Sequence, residues 1–118
     1  MAYRVAYATD LHGNTELYEL LLRFASQHSC QAVIIGGDIA PKGTYDWAPD
    51  EPVPGVLPQE AFLQRYLIPT LRAFRQQAEI DLLIMMGNDD RRVNLGLLEA
   101  EAEEGTIKLL HDRRYALG

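Results

Sequence analysis

Cysteine is nearly absent from this chain: Cys30 stands alone, so no intrachain disulfide can form, and a reducing compartment is the simpler inference. Its place between a helical stretch and an apolar strand is that of a small buried side chain rather than a nucleophile. Long apolar runs are missing as well, and a bilayer-spanning helix needs about 20 such residues. The N-terminus has no charged-then-apolar pattern of a secretory signal. A cytoplasmic protein with no membrane partner is therefore expected. Positive charge is scarce: 11 Lys and Arg against 17 Asp and Glu give a formal net charge of −6, which argues against a broad nucleic-acid surface. The chain contains no phosphate-cradling P-loop, no G-x-G-x-x-G, no internal repeat and no low-complexity tract.

What remains is enough for one modest domain over residues 1–118, and 47% hydrophobic residues can supply a real core. Much of the acidity lies in Glu99-Ala100-Glu101-Ala102-Glu103-Glu104, which reads as a solvated helix face and its end. The run from Tyr3 to Thr9 is rich in β-branched, aromatic and small residues and predicts a strand. Thr15 to His28 predicts a helix, with Leu17, Leu20, Leu21, Phe24 and Ala25 spaced as one face and Glu16, Glu19, Arg23 and Gln27 largely on the other. His28 falls in the last turn, where an imidazole interacts with the helix dipole. Ala32-Val33-Ile34-Ile35 is an unbroken apolar run, as in a strand covered on both faces. Strand, helix, strand in this order implies a right-handed βαβ unit, an α/β fold and a mostly parallel sheet.

Pro41 to Pro58 holds five of the six prolines and the only tryptophan, Trp47, and predicts a structured, irregular loop. It is either a rim or lid beside a site at the strand ends, or a neutral insertion. Gln59 to Gln77 is helical by pattern and should be kinked or divided at Pro69. Ile80 to Met86 predicts a third strand, Val93 to Glu103 a helix closed by Gly105, and Thr106 to Leu110 a further strand. His111 to Arg113 then reads as a turn into a hairpin partner beginning at Arg114.

Three of these apolar runs end in polar clusters: Asp10-Leu11-His12, Gly36-Gly37-Asp38 and Gly87-Asn88-Asp89-Asp90. In parallel sheets functional side chains collect at the carboxyl ends of the strands, so Asp10, His12 and Asp38 should share one edge. Asp10 and His12 should also project to the same side, because side-chain direction repeats every second residue along a strand. A carboxylate and an imidazole converging on one point form half a shell for a borderline divalent ion. Each cluster has a plainer reading by itself. Asp10 could cap the helix while His12 stays on the surface, and Asp38 could cap whatever follows a tight turn. Arg91 and Arg92 are either a phosphate clamp or ordinary surface charge at a helix start. A receiver-like or nucleotide-binding α/β module would also place acids at strand ends, but gives no reason for His12 or Asn88.

Taken together, the clusters resemble the calcineurin-like metallophosphoesterases, whose signature is D-x-H, then G-D, then G-N-H-[DE], with separate histidine motifs further on. The resemblance spans the chain and corresponds to the first half or so of a family domain. It implies an α/β-β/α sandwich of two mixed sheets, of which this chain would be the N-terminal part. It implies further that Asp10 and His12 bind one metal ion, that Asp38 bridges two, and that Asn88 binds the second. The ions would be manganese, iron or zinc, and a hydroxide bridging them would hydrolyse phosphate mono- or diesters. Asp89 stands where the family has histidine, and with cations nearby it should orient water or a neighbour rather than donate a proton. Arg91 would clamp the phosphate. Asp90 matches the acidic residue closing the motif and should support the loop through backbone hydrogen bonds.

The later histidine motifs have no counterpart, since His28 and His111 lie in other contexts. Missing ligands would then come from further chain or from another copy, with an exposed C-terminal strand as a route to a homo-oligomer. The rival reading is a non-catalytic member of the same fold that serves as a protein-interaction scaffold.

Overall fold

The computed structural model describes residues 3–42, 44–45, 47–87, 90 and 94–110. In chain order these form β1 (Val5–Ala8), α1 (Thr15–Gln27), β2 (Ala32–Gly36), β3 (Thr44–Tyr45), β4 (Ala48–Pro52), α2 (Gln59–Phe62), a π-helical turn (Leu63–Leu67), α3 (Ile68–Gln77), β5 (Asp81–Met85), α4 (Leu95–Glu103) and β6 (Lys108–Leu109). Strands β1, β2, β5 and β6 make one parallel sheet in that spatial order, so the described residues are mixed α/β. Each new strand is laid beside the last, and right-handed crossovers wound in a single direction put the helices on one face.

The register fixes which side chains meet. Ala6, Val33 and Leu82 form one row, and Ala8, Ile35, Ile84 and Leu109 the next. Against these rows pack Leu22 and Ala25 of α1, Leu63 and Leu67 of the π turn, Leu71 of α3 and Leu98 of α4. The opposite sheet face carries the row Tyr7, Ile34, Leu83 and Lys108.

Helix α1 is oriented differently from the sequence expectation. The residues it buries are Tyr18, Leu22 and Ala25, whereas Leu17, Leu20 and Phe24 of the expected apolar face lie exposed. The helix has two apolar stripes and only one can face the sheet. Tyr18 decides between them, because its ring packs with Phe62 and Tyr66 and its hydroxyl donates to the Ile39 carbonyl at 2.7 Å. His28 caps the helix through its backbone N–H, and its ring lies 4.2 Å from that of Phe24.

The remaining differences have local causes. The helix over 59–77 is divided by the π turn just ahead of Pro69, where the Ile68 N–H donates to the Leu63 carbonyl, five residues back. Proline brings no N–H to the next rung, so the ladder shifts by one residue before it. The proline-rich segment is not wholly irregular: β3 and β4 pair antiparallel as a small hairpin outside the main sheet. Strand β6 is shorter than expected, and the hairpin partner expected from Arg114 onward lies outside the described residues. Among the described residues no helix is long and apolar enough to cross a membrane.

Candidate metal centre

The carboxyl ends of β1 and β2 lead into two loops that run alongside each other. The amide of Asp10 donates to the Gly37 carbonyl at 3.2 Å, that of His12 to the Asp38 carbonyl at 2.8 Å, and that of Gly13 to the Ile39 carbonyl at 3.0 Å. The Thr9 hydroxyl adds a bond to the Gly36 carbonyl at 3.1 Å. Backbone pairing therefore continues past the strands, and this brings Asp10 and His12 beside Asp38. One ligand atom from each of the three lies within 4.8 Å of the others.

The cause of this convergence is not strand alternation. Asp10, His12 and Asp38 all stand beyond their strands with φ of 56°, 46° and 49°. Side chains other than glycine pay about 1–2 kcal/mol for this left-handed backbone, somewhat less for Asp. Three such residues in one small cluster are uncommon, and strain of this kind gathers where a side chain must be aimed. The capping alternative for Asp10 does not hold, because Asn14 caps α1, its Oδ1 accepting the Leu17 N–H at 3.2 Å. Asp38 is followed by no helix that it could cap, the next regular element being the β3–β4 hairpin.

The loop after β5 closes on the same place. A side chain at Gly87 would overlap the Asp38 amide nitrogen and carboxylate, so only glycine lets this backbone pass. Asp90, buried, locks the approach: its carboxylate accepts the amides of Ile39 at 2.9 Å, Ala40 at 3.1 Å and Gly87 at 2.8 Å. It thus ties the end of β5 to the two residues that follow Asp38. This is the loop-supporting role expected of the acid that ends the third cluster. The other expected residues of that cluster, Asn88, Asp89, Arg91 and Arg92, lie outside the described residues.

Tyr18 belongs to none of the sequence motifs. Its hydroxyl holds the carbonyl of Ile39, next to Asp38, from beneath the site. Burial, and after it the charge of Asp90, pushes its pKa well above the ordinary tyrosine range, so it stays a neutral donor. The only available signal was its spacing with Leu22 and Ala25, masked by the richer stripe beside it.

The donor set can be weighed against an ion. Asp10 and His12 are exposed, Asp38 is half-buried, and His12 Nε2 lies 3.9 Å from Asp10 Oδ1. Two donors bound to one ion at about 2.1 Å lie about 3–4 Å apart, so small side-chain rotations bring this set to bonding distance. Two carboxylates and one imidazole, with the solvent side open, fit a borderline divalent ion that keeps positions for water or substrate. This is the one such cluster among the described residues. Comparison with protein-family models, with curated proteins and with solved structures returns no match, so the chain's own residues and their geometry carry its functional reading.

Proposed function

We propose that this chain is a metal-dependent phosphoesterase of the calcineurin-like kind, or the N-terminal part of one, acting on phosphate mono- or diesters. The observation that carries the reading is the meeting of Asp10, His12 and Asp38 from two strand ends, each on a left-handed backbone. The order of the three polar clusters along the sequence supports it, as does the parallel sheet that collects their carboxyl ends. In this reading the fold is the first part of an α/β-β/α sandwich. The single Cys30 is in keeping with a cytoplasmic setting.

A divalent ion, when bound, supplies Lewis acidity toward a phosphoryl oxygen and makes water nucleophilic near neutral pH. The rest falls to the chain's own groups. Asp10 and His12 would hold one side of the site, the imidazole Nε2 standing 3.9 Å from the Asp10 carboxylate. Asp38 faces both loops and is the residue suited to be shared by two ions, with Asn88 serving the second. Asp90 keeps Asp38 aimed by clamping the amides of Ile39 and Ala40. Asp89 orients water, and Arg91 binds the phosphate of the substrate through paired donors.

Purified chain with manganese should hydrolyse an activated phosphodiester such as bis(p-nitrophenyl) phosphate and melt at a higher temperature than without the metal. Asp38→Asn should lower turnover by at least about 100-fold while leaving the circular dichroism spectrum intact. No turnover with manganese, iron or zinc, together with an unmoved melting temperature, favours the second reading: a non-catalytic scaffold of the same fold. The observation on that side is the small ligand set, three residues among those described.

A further inference from the structure

The apolar stripe that α1 turns away from the sheet is not isolated. Leu17, Leu20 and Phe24 are 42%, 58% and 47% exposed, and β1 runs beside them with Ala6 and Ala8 on the helix side of the sheet. Among the described residues strand β1 pairs with β2 alone and forms one edge of the sheet. Edge and stripe wall a single open groove of about 380 Å³, lined by residues 5–8 of the strand and by Leu17, Leu20, Leu21 and Phe24 of the helix. Folded chains usually blunt an edge strand with lysine, proline or a bulge. Strand β1 is Val-Ala-Tyr-Ala, with none of these.

We propose that this edge is covered by the same edge of a second copy, giving a two-fold dimer with a continuous sheet. An axis normal to the sheet beside β1 sets the two β1 strands antiparallel, and by the same rotation the two α1 helices. Both helices then stay on one side of the enlarged sheet, and the exposed stripes meet about Leu20. The rim charges select this arrangement. Glu16 and Arg23 are both exposed, stand two helical turns apart on the same flank of the stripe, and bracket Leu20. Antiparallel apposition places each Glu16 near the partner's Arg23, whereas parallel apposition sets like charge against like. A foreign apolar strand would also satisfy the edge, but it would leave this symmetric placement of opposite charges without a purpose. The site at the strand ends takes no part in the contact. The dimer uses the edge of the sheet opposite β6.

Sedimentation equilibrium of the full chain up to about 100 μM should give the mass of two chains. Leu20→Glu should weaken association by at least about 100-fold, with unchanged circular dichroism, because two apolar side chains at the axis become like charges. Glu16→Arg should weaken it by about tenfold with the helical circular dichroism signal retained, and Glu16→Arg with Arg23→Glu should restore most of the loss. A chain that stays monomeric throughout this range overturns the proposal, and so does a dimer that Leu20→Glu leaves intact. Failure of the double charge reversal to recover association overturns it too. A monomer that instead gains strand signal on adding an extended apolar peptide assigns the edge to a different partner, and equally overturns the dimer.

Discussion

The two ends of the parallel sheet both gather charge, and they do so in opposite ways. At the amino end, Asp81 of β5 lies 3.3 Å from Lys108 of β6 and 3.8 Å from Arg75 of α3. Two cations there answer one carboxylate, all three groups reach solvent, and the backbone of Asp81 is ordinary. At the carboxyl end, two carboxylates and an imidazole converge on left-handed backbones, above a third, buried carboxylate whose oxygens accept backbone amides. The first arrangement sets opposite charges against each other. The second spends backbone strain on bringing like-charged groups together. A cluster of ionisable residues is therefore a weak sign of function, and the backbone cost paid to form it is a better one.

That contrast can be broken experimentally, and the largest effect belongs to Asp90. Asp90→Ala leaves the buried amides of Ile39, Ala40 and Gly87 without their acceptor and should cost about 3–5 kcal/mol in urea unfolding. Asp81→Asn at the other end should cost no more than about 1 kcal/mol, because its partners are solvated. Equal losses would abolish the distinction between the two ends.

Tyr18 gives the next effect. Tyr18→Phe strips the Ile39 carbonyl of its donor and should cost about 1–3 kcal/mol. The same group sets an alkaline limit. Burial raises its pKa in the folded chain, so its contribution is fully present below the unfolded tyrosine value of about 10 and declines as the pH climbs beyond it. Denaturant midpoints measured across that range should fall in the parent chain and fall less in Tyr18→Phe.

The smallest effect is the most discriminating, because its sign changes between the ends. Asp10→Gly relieves a left-handed backbone and should leave the metal-free chain unchanged or up to about 1 kcal/mol more stable, while removing the metal-induced rise in melting temperature. Asp81→Gly has no strain to relieve and should destabilise by about 1 kcal/mol. If Asp10→Gly is the more destabilising of the two, the left-handed residues are not strained in the sense argued above.

Much of this was legible in advance where the cause is local. Unbroken apolar runs mark β2 and β5 because strands inside a parallel sheet are covered on both faces, and glycine-acid pairs after them mark their ends. The π turn before Pro69 is half legible: proline announces a break, but where the ladder shifts depends on the turn already formed. Strand alternation at Asp10 and His12 pointed to the right pair for the wrong reason, since both lie past the strand. Spacing does not fix the orientation of α1, because its two stripes are alike in period, and what separates them is the contact from Tyr18 to a carbonyl 21 residues away.

By itself the sequence determined the alternation of strands and helices, the core-forming runs, and which acids and imidazole stand at strand ends. These depend on periodicity and on the chemistry of single residues. Tertiary structure alone decided that Asp10, His12 and Asp38 meet, that Asp90 serves the backbone, and which stripe of α1 is left facing outward. Each of those outcomes requires segments distant in the chain to be in contact, and the free energy of such contacts is written in no one segment.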